Sequence, residues 1–189
     1  MKKYVLFAAA VALISASAFA QAPRYDIGEA DTTAIIVADI SVNYVQGLHF
    51  GAVYSPSSAV TAKVFPDGTN NYDSGSGAPE EAPSSPGTQA AQFTITTEPG
   101  ADIVITAPSN YNVLIGGYGN GGASLAVSTF VLEDGSGTPI TTGSTITNTT
   151  GELEVNIGAS LAIGSGALPG TYENDGAGGT GLKLRVDLD

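Results

Sequence analysis

The chain has no cysteine, a single histidine at position 49, and six basic residues against eighteen acidic ones. Each shortage removes a class of chemistry. Without cysteine there is no disulfide framework, no thiol nucleophile and no thiolate metal site. One imidazole cannot assemble a zinc or copper centre of the usual kind. It also leaves any serine nucleophile a single candidate base, and the sequence contains no G-x-S-x-G elbow. At a formal net charge of −12 the chain repels phosphate, which argues against nucleic acid and anionic lipid as partners. Tryptophan is absent too, which weakens the case for a carbohydrate platform built on aromatic side chains.

Long apolar runs are equally scarce. The one extended stretch, residues 4–19, is interrupted by Ser15 and Ser17 and falls short of the ~20 residues a membrane-spanning helix needs. It follows the basic Lys2-Lys3 and leads into Ala18-Phe19-Ala20, with small residues where a signal peptidase reads them. The expectation is an export leader over residues 1–20, of bacterial and Gram-negative style, cleaved after Ala20, with no stable membrane span afterwards. That directs the protein to the periplasm, the outer surface or the medium. Residues 21–33 read as a polar N-terminal segment and residues 34–189 as one domain. Beyond the leader, only Arg24, Lys63, Lys183 and Arg185 face all eighteen acids, a net charge of −14, which favours solubility.

What the chain has is turn residues and short alternating runs. Twenty-five glycines and ten prolines punctuate it, and between them lie stretches of Val, Ile, Thr, Leu and Phe with period two, the signature of half-buried strands. In "AIIVADISVNYVQ", Ile36, Ala38, Ile40, Val42 and Tyr44 fall on one face. "LHFGAV" sets Leu48 and Phe50 against His49. "AVTAKVF", "AQFTIT", "DIVITA" and "NYNVLI" follow the same rule. "SLAVSTFVL" changes apolar phase near Thr129, which a β-bulge would explain. "GELEVNIG" is followed by "SLAI" and "GTY", and "LKLRVDLD" closes the chain. The aperiodic, polar stretch at about 66–90 reads as a long exposed loop. The fold class expected is all-β: an immunoglobulin-like antiparallel β-sandwich of about nine or ten short strands, with a jelly roll or closed barrel as the alternative.

The remaining candidates for chemistry are thin. Calcium needs only oxygen ligands, and "PDGTNNYDSG", "LEDGSG" and "YENDGAGG" supply them, yet none matches an EF-hand loop. Turn formation accounts for their Asp, Asn and Gly, so no metal and no cofactor is assigned. Glu80-Glu81 and Glu133-Asp134 are paired acids in expected loops, without a pattern that would hold them across a sugar. Asn148-Thr149-Thr150 is a formal N-x-T acceptor and reads as chance. Tyr72, Tyr111, Tyr118 and Tyr172 are the aromatic candidates for a ligand platform.

The order of segments resembles the bacterial domain-of-unknown-function family 4402. Leu48-His49-Phe50-Gly51 fits its L-x-F-G signature, Pro66-Asp67-Gly68 its P-x-G strand end, and the Phe93 strand its A-x-F-x-V/I segment. Pro108 ends the next strand. Val155 to Leu161, with Gly158 inside, resembles the family's V-x-V-G-x-x-L run, and Gly170-Thr171-Tyr172 completes the pattern. The resemblance implies an exported β-sandwich laid out like fimbrial and spore-coat-U subunits, with Leu48, Phe50, Gly51, Pro66, Gly68, Phe93, Pro108, Gly158, Leu161, Gly170 and Tyr172 as structural positions and no catalytic residue to carry over. His49 occupies the variable position of its motif, so its neighbours hold the structural jobs.

Together these features point to a non-enzymatic structural or adhesive surface subunit. The alternative is a soluble periplasmic or secreted module that binds a carbohydrate or similar ligand. The alternating strand with Ile36, Ile40, Val42 and Tyr44 has the period of a strand that fimbrial subunits exchange, so self-association or joining to other surface subunits by strand addition is the partner class to test. The same strand equally suits the first position in its own sandwich, and the short polar segment before Thr33 favours that.

Overall fold

A computed structural model describes residues 39–53, 55–74, 87–116, 123–174 and 182–189. The leader, the 21–33 segment, Ile36, Glu80-Glu81, Tyr118 and the glycine-rich stretch after Asn174 lie outside the described residues. Among the described residues the protein is all-β and antiparallel, with no helix long and apolar enough to cross a membrane. Thirteen strands are formed: β1 Ser41–Gln46, β2 His49–Phe50, β3 Val60–Val64, β4 Asn70–Ser74, β5 Thr88–Gln89, β6 Ala91–Thr96, β7 Ala101–Thr106, β8 Tyr111–Ile115, β9 Ser124–Asp134, β10 Thr145–Asn148, β11 Glu152–Ile163, β12 Tyr172–Glu173 and β13 Arg185–Leu188.

The strands make a sandwich of unequal sheets. The large one is eight-stranded and curled, in the order β1-β6-β11-β9-β8-β12, with the β3–β4 hairpin branching from β11. The small one is β10-β7-β13, and β2–β5 is a separate two-stranded ribbon. The strand count exceeds the nine or ten expected, for identifiable reasons. "TITN" in a threonine-rich run becomes β10, which pairs with β7. The expected loop at about 66–90 contains β4 and β5, and its first residue, Pro66, is buried. "NNYDS" has no apolar alternation, yet it is a strand because β3 offers it an edge through a tight turn: Gly68 N–H donates to Phe65 O, and Phe65 N–H to Thr69 O. Gly68 makes this turn at φ 80°, a conformation that glycine adopts without penalty.

β11 organises the large sheet. "GELEVNIG" and "SLAI" form one twelve-residue strand. β9 runs along one side of it, while the other side is shared end to end: Glu152 to Ile157 pair with β6, and Ala159 to Ile163 with β3. Gly158 stands at the junction. A Cβ there would lie 2.3 Å from Val64 O and 2.8 Å from the carbonyl carbon of Phe65, closer than any side chain permits. The chain passes backbone against backbone because Gly158 has nothing to put in the way.

Two apolar clusters follow from this layout. The first joins both sheets: Ala91, Phe93 and Ile95 of β6, Val155 and Ile157 of β11 and Leu132 of β9 meet Ile103 and Ile105 of β7, with Leu182, Leu184, Val186 and Leu188 packed alongside. The second lies within the curl of the large sheet: Val60, Ala62, Val127, Ala159, Leu161 and Ile163, flanked by Tyr72, Tyr111 and Phe130. β9 serves both, and a bulge makes that possible. Ser128 pairs with Ser160 and Val131 with Gly158, so Thr129 and Phe130 together oppose Ala159. Thr129 takes φ 55°. The extra residue switches the inward parity from odd (Leu125, Val127) to even (Phe130, Leu132), as the phase change in the sequence requires.

The sheets are stitched at one corner. β6 crosses to β7 through residues 97–100, and β10 crosses to β11 through residues 149–151. Thr97 N–H donates to Gly151 O (2.9 Å), Gly100 N–H to Asn148 O (2.7 Å), and the buried Asn148 Nδ2 to Thr97 Oγ1 (2.9 Å). Asn148 is 3% exposed, so the formal N-x-T acceptor is a buried structural amide. The first residue of β1 pairs beside this corner (Ser41 with Thr96), and so does the chain end, where Asp189 N–H donates to Asp102 O.

Candidate functional site

The positions singled out by motif scatter over the frame. Phe93, Gly158 and Leu161 are buried in the large sheet, and Pro108 is buried after β7. Leu48 and Phe50 are half-buried rather than wholly enclosed, because β2 is only two residues long and pairs with β5 outside both main sheets. Leu48 packs on both clusters, and Phe50 on the second. Gly51 ends the strand at φ 70°. Gly170 lets the Ile115 side chain approach, since a Cβ there would sit 2.5 Å from Ile115 Cδ1, and the Tyr172 hydroxyl donates to Leu168 O (3.0 Å). None of these groups converges with another on a common point. They are packing and turn positions.

His49 is exposed and forms no ion pair among the described residues. It does have a neighbour that the alternation argument missed. A Cβ on Gly47 would lie 3.1 Å from Tyr44 Oη and 3.6 Å from His49 Nε2, so the phenol and the imidazole flank that glycine. Gln46 and Gln89 hold the backbone around it, donating to Ala90 O (3.1 Å) and Gly47 O (3.2 Å).

Tyr44 belongs to the part of the structure that departs most from expectation. Alternation assigns Val42 and Tyr44 to the core. Register agrees about the face, since Val42 pairs with Ile95 and Tyr44 with Phe93, both buried. Yet Val42 is 39% and Tyr44 67% exposed, and Val45 on the same strand is 51% exposed. Of the expected inward set among the described residues, Ile40 alone packs on the first cluster. Alternation reports which face a side chain takes. It does not report whether the opposite sheet extends far enough to cover it. β1 is an edge strand, paired only with β6 among the described residues, and the Tyr44 ring is held edge-on against Phe93 (centroids 6.1 Å apart, 73° between planes). A bulge at Val45 ends the regular pairing, because Gln46 realigns with Gln92.

The acidic loops are occupied with their own construction. Asp67 Oδ1 accepts from Thr69 Oγ1 and Thr69 N–H. Asp134 Oδ1 accepts from Ser136 Oγ, Ser136 N–H and Thr138 N–H. These bonds favour the charged form: the Thr69 hydroxyl holds the Asp67 carboxyl below the usual carboxylate range, and the Ser136 hydroxyl does the same for Asp134. Among the described residues no group of three or more His, Asp or Glu side chains is placed to hold a metal ion. A depression of about 250 Å³ lined by Val60, Thr61, Asp73, Ala162 and Ile163 presents one titratable side chain, Asp73, which is ion-paired with Lys63. Of the tyrosines considered as platforms, Tyr72, Tyr111 and Tyr172 are half-buried. Tyr111 stacks on Phe130 (6.1 Å), and burial pushes its phenol up to about 12.

Among the described residues the outer edge of β1 has no partner strand, and the Tyr44–Gly47–His49 surface lies beside it. The family model of a domain of unknown function, DUF4402, matches residues 40–177, and the chain belongs to that family. The match begins at the end of the segment leading into β1 and leaves β13 outside it. No curated protein matches the chain.

Proposed function

We propose that the protein is an exported, non-enzymatic β-sandwich that works as a structural or adhesive subunit at the bacterial surface. The observation that carries this reading is β1: a sheet edge among the described residues, with three exposed apolar side chains, Val42, Tyr44 and Val45, and no charge between Ser41 and Gln46. Exposed uncharged edges invite strand pairing, and soluble monomers ordinarily blunt them. Export rests on the leader pattern of residues 1–20. Asp67 and Asp134, tied into loop turns, and the hydroxyl-rich strands support a soluble scaffold, and His49 forms no ion pair among the described residues that would equip it for acid–base work. Fractionation of cells producing a C-terminally tagged chain, followed by negative-stain microscopy of the surface fraction, tests the reading. Tagged protein in the surface fraction is expected. Tag confined to the cytoplasm overturns export, and tag confined to the soluble periplasm overturns the surface role.

A second reading has one observation in its favour. Tyr44, the most exposed large apolar side chain among the described residues, stands next to His49 over a bare glycine, an arrangement on which a sugar ring could stack and form hydrogen bonds. A glycan array run with the protein and its Tyr44→Ala variant decides this reading: binding lost in the variant favours it, and no binding by either eliminates it.

A further inference from the structure

We propose that β1 is the contact through which two copies of this chain pair edge to edge about a twofold axis, extending the large sheet of one protomer into that of the other. This deepens the surface-subunit reading, on which its biological meaning rests, by naming the partner and the surface. β1 is not a donor strand in waiting, because it is already paired with β6 in its own sheet. Among the described residues no strand pairs with its outer edge, and the side chains on its inner face, Val42 and Tyr44, are exposed although their partners on β6 are buried.

The edges of the sheets are not alike. β4 carries Asp73 in an ion pair with Lys63, and β13 carries Arg185 paired with Asp187 (2.8 Å). β10 has its threonines tied to Asp102 and Asp189. β1, Ser-Val-Asn-Tyr-Val-Gln, has no charged residue. A second copy is the occupant this favours. Two chains that each carry a net charge of −12 repel wherever their acids approach, and β1 is an edge where they meet without opposing like charges. A basic partner would find nothing on β1 to recognise.

Antiparallel pairing that keeps the two inner faces on one side has a natural centre at Asn43. It places Val42 beside Tyr44 of the second copy, twice, and Asn43 opposite its own equivalent on the outer face. Aromatic and β-branched side chains are favourable cross-strand partners. The bulge at Val45 ends the stretch, so the contact is short and the dimer weak. Because the remaining surfaces repel, association strengthens as salt screens them.

Sedimentation equilibrium on the purified protein over a range of concentrations, at about 0.05 M and about 0.5 M ionic strength, tests the pairing. A monomer–dimer equilibrium that tightens with salt is expected. Asn43→Lys and Asn43→Glu each place like charges at the axis and should weaken the dimer by about tenfold or more, while an equimolar mixture of the two regains it as a heterodimer. Far-UV circular dichroism checks that both variants fold. Thr145→Lys, on the β10 edge, should leave the dimer unchanged. Monomer at every concentration, a dimer indifferent to both Asn43 variants, or a mixture that fails to pair overturns the proposal. A ladder of higher oligomers overturns the closed twofold form. A surface location established independently would survive any of these failures, so the two readings fail separately.

Discussion

The two halves of β11 solve the same problem in different ways. From Glu152 to Ile157 the strand buries Val155 and Ile157 against a second sheet that has to be brought over from elsewhere in the chain. From Ala159 to Ile163 it buries Leu161 and Ile163 within the curl of its own sheet, against β3 and β9. One half depends on long-range assembly and the other on local curvature, and the strand changes from one to the other at Gly158. Two devices keep the halves in register: the missing side chain at Gly158 on the β3 side and the extra residue at Thr129 on the β9 side. A single hydrophobic face thus serves two clusters, provided the backbone can be adjusted by one residue on each flank.

The sharpest way to break this arrangement is Gly158→Val, which places a branched side chain where Val64 O stands 2.3 Å from the ideal Cβ position. A loss of about 4–5 kcal/mol in urea unfolding is expected, with the β3 amides losing hydrogen-exchange protection before those of β6. Next, Ile157→Ala and Leu161→Ala compare the halves directly. Both should fall within about 2–5 kcal/mol, with Ile157 the costlier, since it is fully enclosed between sheets while the curled region has room to close on a cavity. Equal losses would mean that the two clusters behave as one. Asn148→Ala takes the buried donor from Thr97 and should cost about 1–3 kcal/mol, loosening the corner on which only the first half depends.

Thr129→Gly runs the other way. A β-branched residue at positive φ is strained, so glycine there should raise stability by about 0.5–1 kcal/mol, and thermal unfolding would record it. The smallest effect is local. The carboxyl of Asp134 is held below its ordinary value by the Ser136 and Thr138 bonds, so the charged, bonded form stabilises the turn above the usual carboxylate pKa, and that contribution fades as pH falls through the lowered one. An NMR titration should show the Ser136 and Thr138 amides shifting at a lower pH than an unbonded aspartate would produce, with the sandwich itself unaffected.

Much of this frame was legible in the residues. Period-two alternation marks β6, β7, the first half of β11 and the C-terminal strand, and the phase slip near Thr129 is the bulge itself. His49 points outward and Leu48 and Phe50 inward, as their alternation requires. What escaped notice has a common cause. β4 and β10 lack apolar alternation and exist because a neighbouring strand offers them an edge, which is information held by β3 and β7. The exposure of Val42 and Tyr44 escaped for the converse reason, since their pattern is that of a core strand and only the extent of the facing sheet leaves them bare. The meeting of Tyr44 with His49 depends on Gly47, whose missing side chain carries no periodic signal. Four intervening positions of sequence hide it.

The placement of Ser41 and Asp189 beside the same corner has a mechanical consequence. Force applied at Ser41 and at Asp189 would act on two points that pair beside the same corner. It would peel β1 from Thr96 onward and β13 from Asp102 onward, one rung at a time, rather than shear either strand along its full length. A unit loaded in this zipper geometry yields at low tension. Load is therefore better borne sideways, across sheet edges, than along the covalent chain.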